Sequence, residues 1–309
     1  MKPSLRIASL ALSILFASGA ALADVNIGVS MSQFDDTYLT YLRESMNDKA
    51  KTYPEGVKLQ FEDARADVVK QLSQVENFIS QKVDAIIVNP VDTASTDRIT
   101  KAAVAAGIPL IYVNRRPDQT NLPQGVATVA SDDLEAGRMQ MQYLADKMGG
   151  KGNIVILLGD LANNSTTNRT KGVKAVLAQY PGIKVDQEQT GIWLRDKAMT
   201  LTNDWITQGR EFDAVVSNND EMAIGAAMAL KQAGIAKGKV LIAGVDGTED
   251  GVRAVEKGDL TLSVFQDAAG QANGSVETAL KMINKAPYEQ AVWVPFQLIT
   301  QDNVSTYKK

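Results

Sequence analysis

The chain reads as two doubly wound α/β domains, and three observations carry that reading. Short apolar runs alternate with helical patterns of roughly 10–15 residues, as βαβ units do. The runs are apolar at every position, which marks strands buried on both faces of a parallel sheet. The alternation also runs through one series to about residue 130 and then begins again; 309 residues are long for one core and comfortable for two.

In the first series, Val25–Ser30 is the first strand, followed by a loop and a helix over Tyr38–Lys51. Leu59–Phe61 is a short strand. Val68–Gln81 carries apolar residues at 68, 69, 72, 75, 78 and 79, a helical stripe. Strand Ala85–Val88 leads to a helix over Thr96–Ala106, which Gly107 closes because glycine takes positive φ without penalty. Leu110–Val113 and the extended Ala127–Ala130 complete the unit. The second series opens with a helix at Leu134–Met148, stopped by Gly149-Gly150, and a strand at Ile154–Leu158. A helix over Asn168–Gln179, a strand at Lys184–Glu188 and a helix at Arg195–Gln208 follow. Then come strand Ala214–Val216, helix Glu221–Ala233, strand Val240–Val245, helix Gly251–Lys257 and strand Thr261–Phe265. The tail predicts one more helix, Ala268–Ile283, and an extended stretch, Ala291–Ile299. No Pro/Gly/Ser-rich linker parts the halves, so the junction is a tight crossing.

The N-terminus has its own grammar. Lys2 and Arg6 precede the apolar stretch Ile7–Phe16, and Ala21-Leu22-Ala23 stands before Asp24. This predicts a signal peptide over residues 1–23; a short first helix of the fold is the alternative. Its removal takes two positive charges, leaving 30 basic against 36 acidic residues. An exported, acidic chain without cysteine suggests a bacterial periplasm, and the negative balance argues against a nucleic-acid partner.

The absences restrict the chemistry. With no His and no Cys, Ser-His-Asp and Cys-His sites are impossible, as are the usual zinc sites. No P-loop is present, and no GxGxxG follows the first strand, so no nucleotide cofactor is expected. An Asp/Glu glycosidase or an oxygen-ligated Ca²⁺ site survives on composition alone. Nothing in the sequence sets a scissile bond between paired carboxylates, so we expect neither enzyme activity, cofactor nor metal.

What the sequence does supply is polar groups at strand ends, where open α/β sheets bind ligands. Asn89 follows one run, with capping the next turn an equal reading, and Asn114-Arg115 follows another. Before the Ala-rich helix, Ser217-Asn218-Asn219-Asp220 reads as Asp220 capping and Asn219 facing a ligand. Asp246 and Gln266 end two further strands. Phe34, Asp35, Asp36 and Tyr38 crowd the first loop. Trp193 lies in a polar loop, either as a packed anchor or as a platform for the C–H face of a sugar. Arg169 opens a helix, against the dipole preference. Amides, carboxylates and guanidiniums together suit a small, hydroxyl-rich ligand.

These motifs, in this order, resemble the ribose/galactose-type periplasmic sugar-binding proteins that serve ABC importers. The most specific stretches are Asn219-Asp220-Glu221-Met222-Ala223-Ile224-Gly225-Ala226 and Gly244-Val245-Asp246-Gly247-Thr248. The resemblance covers essentially the whole mature chain. It implies type I periplasmic-binding-protein lobes at 24–130 plus 268–293 and at 131–267 plus 294–309, joined by three crossings. It also implies a monomer, a membrane permease as partner, and in some members a chemoreceptor. The implied ligand contacts are Asp36, Tyr38, Asn89, Asn114, Arg115, Arg169, Trp193, Asn219, Asp246 and Gln266. The acidic first loop and Asn114-Arg115, where ribose binders carry Asp-Arg, look more like the myo-inositol branch. The implied ligand is therefore a cyclitol, with a pyranose, a pentose or an amino-inositol as alternatives.

Overall fold

The structure is a computed structural model that describes residues 24–54 and 56–308; the predicted signal peptide lies outside the described residues. Its strands alternate sides with period two. In β3 (Ala85–Val88), Ala85 and Ile87 join one apolar cluster while Ile86 and Val88 join another. The first cluster packs β1 (Val25–Met31), β3, β4 (Leu110–Val113) and β5 (Val126–Ala130) against α1 (Thr37–Ala50) and α9 (Ala268–Ile283). The second packs the opposite face against α2 (Val68–Gln81) and α3 (Asp97–Ala106). Each fully buried Val, Ile or Leu contributes about 1.5–3 kcal/mol, which is why strands apolar at every position sit in the middle of the sheet.

With β2 (Val57–Asp63) and β11 (Ala291–Trp293), the first sheet runs β2-β1-β3-β4-β5-β11, all parallel. The second lobe repeats the order. It comprises β6 (Lys151–Leu158), β7 (Gly182–Thr190), β8 (Ala214–Ser217), β9 (Leu241–Asp246), β10 (Leu262–Phe265) and β12 (Gln297–Ile299). Its sheet runs β7-β6-β8-β9-β10-β12, with β12 antiparallel to β10. Around it lie α4 (Asp133–Lys147), α5 (Asn164–Leu177), α6 (Arg195–Thr207), α7 (Asp220–Gln232) and α8 (Glu249–Lys257). The chain passes between sheets after β5, between β10 and α9, and between β11 and β12. Each sheet reverses its winding beside its first strand, at β1/β3 and at β6/β8, and ligands collect outside such reversals.

Strands β2, β6 and β7 are longer than the sequence expectation, and three further elements differ from it. Helix α5 begins at Asn164, a turn before the predicted start, because Asn163–Asn168 offers capping residues in series and periodicity cannot choose among them. Arg169 therefore sits inside the helix, in its second turn. Helix α8 likewise starts earlier, with Thr248 accepting from the Gly251 N–H. The extended stretch at 291–299 is two short strands in different sheets, parted by a crossing at Val294-Pro295-Phe296.

Glycines bring α4 and α5 together. A Cβ on Gly137 would lie 1.9 Å from the Arg169 carbonyl oxygen, and one on Gly172 would lie 2.1 Å from that of Leu134. The backbones touch, and that contact sets where Arg169 emerges.

Candidate functional site

A void of about 310 Å³, part of it open to solvent, separates the strand ends of the two lobes. The room free to a water-sized sphere within it is about 30 Å³. The first lobe lines it with Asp36, Tyr38, Leu39, Asn114 and Arg115; the second with Ser165, Arg169, Trp193, Asn219, Asp246 and Gln266. In the measure that gives 310 Å³, a wider groove of about 1610 Å³ opens nearby between Thr93, Arg116, Asn164 and Trp293. The buried charged groups converge on the smaller void, so that is the candidate site.

In the first lobe, Asp36 caps α1, accepting from the Leu39 N–H at 2.9 Å, and still lines the void. Its neighbour Asp35 is exposed to solvent and lines nothing. Phe34 also stays outside, its ring 4.0 Å from the Arg43 guanidinium. Tyr38 is buried, and its hydroxyl is without a hydrogen-bond partner among the described residues. Asn114 takes φ 66°, a left-handed conformation that Asn tolerates, which turns its amide into the cleft. Asn89 does not line the void. Its Oδ1 accepts from Ser32 Oγ at 2.7 Å and its Nδ2 donates to Asn114 Oδ1 at 3.2 Å, so it braces Asn114 from behind. Arg115 donates from Nη1 to the Pro90 carbonyl at 3.0 Å.

Arg169 dominates the second lobe. It is almost fully buried, and it donates from Nε to Asp133 at 2.9 Å, from Nη1 to the Asn218 carbonyl at 2.6 Å and from Nη2 to Gln266 Oε1 at 3.0 Å. Asp246 Oδ1 lies 3.6 Å from Nη1. Burial opposes the Arg169 charge, but Asp133 and Asp246 outweigh it and hold the guanidinium's pKa above its ordinary value. Asp246 itself has φ 119°, a strained conformation for a residue with a Cβ. Two contacts hold that turn: Asp220 Oδ2 accepts from the Thr248 N–H at 2.9 Å, and Ser263 Oγ accepts from the Gly247 N–H at 3.2 Å. Ser263 in turn donates to Asp220 Oδ1 at 2.6 Å.

This corrects the expected roles at 219 and 220. Asn219 is the cap, accepting from the Met222 N–H at 3.0 Å while lining the void, and Asp220 is buried inside the first turn. Burial pushes the Asp220 carboxyl up to about 7 and lifts Asp246 well above the carboxylate range, the latter partly offset by Arg169. Burial also raises Asp36, against its bond to Leu39 and the charge of Arg115, and it lowers Arg115. Trp193 lies over Gly159, where a Cβ would stand 2.2 Å from the indole, and its Nε1 donates to Asn163 Oδ1 at 3.0 Å. Among the described residues no group of three or more acidic side chains is placed to hold a metal ion.

Sequence reasoning missed Leu39, Ser165 and Asp133. The pair Asp132-Asp133 carried a usable signal: one carboxylate suffices to cap α4, and Asp132 does so by accepting from the Leu134 N–H, which frees Asp133 for Arg169. The unpartnered Tyr38 hydroxyl makes a prediction of its own, because an unmade buried hydrogen bond costs about 1–3 kcal/mol. Tyr38→Phe is expected to leave the ligand-free melting temperature unchanged or raised while weakening ligand binding several-fold. A melt and a titration check both; unchanged affinity would remove the hydroxyl from the ligand's contacts.

Two α/β lobes that close on a small void lined by polar strand-end groups define a two-lobed solute-binding protein. The chain belongs to the periplasmic binding protein family, whose domain profile matches residues 27–287. It is 47% identical over 294 residues to a candidate rhizopine-binding protein of Rhizobium meliloti, covering 94% of each chain. It is 38% identical to a xylitol-binding protein of Mycolicibacterium smegmatis, covering 90% of this chain and 78% of the relative. A crystal structure of an ABC transporter solute-binding protein from Bacillus halodurans with bound myo-inositol superposes with a TM-score of 0.87. That protein is 40% identical, with 92% of this chain and 97% of the other aligned.

Proposed function

We propose that this protein is exported to the periplasm, captures myo-inositol or a close cyclitol between its lobes, and delivers it to the permease of an ABC importer. The relatives it matches are solute-binding proteins rather than enzymes. One observation carries the ligand class: donors and acceptors from both lobes face one small void. Each polyol hydroxyl needs a donor and an acceptor, and Arg115 and Arg169 donate, Asp36 and Asp246 accept, and Asn114 and Asn219 offer amides. Trp193 and Tyr38 supply flat surfaces for ring C–H groups. We take the lobes to be 24–130 with 268–293 and 131–267 with 294–309, closing on the ligand by a hinge at the three crossings.

A second reading, an amino-inositol, is favoured by the charge count. Three buried or half-buried carboxylates, Asp36, Asp133 and Asp246, face two guanidiniums, Arg115 and Arg169; burial raises the Asp36 and Asp246 carboxyls, and a ligand ammonium would favour their ionised forms. Calorimetry with myo-inositol, an aminocyclitol, ribose and xylitol decides. A cyclitol is expected to bind at least ten-fold tighter than either acyclic polyol or pentose; a preference for ribose or xylitol would overturn the assignment. If the aminocyclitol wins, the second reading replaces the first.

A further inference from the structure

We infer that Asn163 is a positioning residue that couples occupancy of the void to closure of the lobes, a reading that rests on the ligand-binding role proposed above. Asn163 stands at the N-cap of α5, where an Asn side chain ordinarily accepts from the helix's own N–H groups, yet it makes no such bond. Its amide is spent elsewhere. Oδ1 accepts from the Trp193 indole at 3.0 Å, and Nδ2 donates to the Val91 carbonyl of the opposite lobe at 2.9 Å. The orientation is forced, because an indole N–H can only donate and a carbonyl can only accept. Both ends of the amide are buried, so neither is replaced by water while the lobes are together.

Other bonds cross the cleft beside it. Thr93 donates from its N–H to the Ala162 carbonyl at 3.1 Å, and Asn164 donates from Nδ2 to the Arg116 carbonyl at 2.7 Å. Asn163 differs from them in one respect: its side chain also accepts a hydrogen bond from the side chain of a residue that lines the void. A ligand ring seated on Trp193 fixes the indole, the indole holds the amide, and the amide presents its donor to Val91. When the lobes part, the Val91 carbonyl and the amide return to water, so the bond contributes only to the closed form. The indole therefore serves twice, as a surface for the ligand and as a lock on the latch.

The test uses the full mature chain, with one cysteine placed in each lobe for spin labels, since the chain has none of its own. Distances are measured ligand-free and with saturating myo-inositol. Asn163→Leu, close in volume, is expected to bind myo-inositol at least ten-fold more weakly through faster release, and to widen the lobe distribution in both states. Trp193→Phe, which removes the indole N–H, is expected to widen it likewise. The double variant should be no weaker than about two-fold below the worse single one. Additive losses, or wild-type distributions in Asn163→Leu, would overturn the latch. If wild type ignores myo-inositol while Asn163→Leu still widens the ligand-free distribution, the cyclitol reading fails and the latch stands. Asn163→Asp keeps the acceptor for Trp193 but sets a carboxylate against Val91, and it should behave like Asn163→Leu if the latch is real; wild-type closure there would also overturn it.

Discussion

Arg169→Met is expected to weaken cyclitol binding by about 10- to 150-fold, the range that follows from roughly 1.5–3 kcal/mol for a hydrogen bond to a charged group. It is also expected to lower the ligand-free melting temperature. The guanidinium lies within 2.9 Å of Asp133 and 3.6 Å of Asp246, and both carboxylates are buried. Removing one member of a buried ion pair leaves uncompensated charge and costs about 3–5 kcal/mol, or roughly 6–20 °C for lobes of this size. The two effects separate with a second variant. Arg169→Lys keeps the charge near Asp133 but cannot reach Asp133, the Asn218 carbonyl and Gln266 together, because an ammonium lacks the planar fork. It should recover most of the lost stability and little of the lost affinity. Calorimetric titration beside a thermal melt reads both. Wild-type affinity in the Met variant would place Arg169 outside the ligand's reach, and recovery of affinity by Lys would reduce its role to charge balance.

The strand-end groups were legible because an apolar run that stops at a polar residue marks the rim of a parallel sheet, and that pattern is local. How far each rim residue projects is not local. Asn89 ends β3, but its backbone N–H donates to the Ser30 carbonyl at 2.9 Å, and that pairing turns its side chain onto Ser32 and Asn114 instead of into the void. The exchange of roles between Asn219 and Asp220 has a similar origin. Both are good caps, and the choice falls to Ser263 and Thr248, which are distant in sequence and give Asp220 a buried place that needs an acceptor at each oxygen. Asp133 and Arg169 meet only because Gly137 and Gly172 let two helices touch, a contact that no periodicity encodes. The paired Asp35 and Asp36 show the opposite case. Both were visible as acidic loop residues, and capping geometry alone draws Asp36 inward, leaving Asp35 in solvent.

Asp246→Asn is expected to weaken binding by about 10- to 150-fold as well, on the same charged-hydrogen-bond scale, and to change how binding depends on pH. Burial holds the Asp246 carboxyl well above the ordinary 3.8, with Arg169 offsetting only part of the rise, and burial raises Asp36 in the same direction. In the ligand-free chain such a group contributes stability that is complete below the unfolded value and is lost as pH rises through the folded one. The wild-type melt should therefore fall as pH is raised above the ordinary carboxylate range, with Asp220, pushed up to about 7 by burial, contributing in the same direction, and Asp246→Asn should flatten that fall without abolishing it. Hydroxyls that donate to Asp246 favour its ionised form and draw its pKa back down, so binding expels a proton. Affinity should then increase with pH across the same window, the reverse of the ligand-free melt. Titrations in buffers of different ionisation heat count the protons released, and the count should drop in Asp246→Asn without vanishing, since Asp36 still titrates. An ammonium beside these carboxylates stabilises their ionised form more than a hydroxyl does, so an aminocyclitol should expel more protons from the protein than myo-inositol. Binding that takes up protons, or ignores pH, would mean that the carboxylates face each other's helices rather than the ligand.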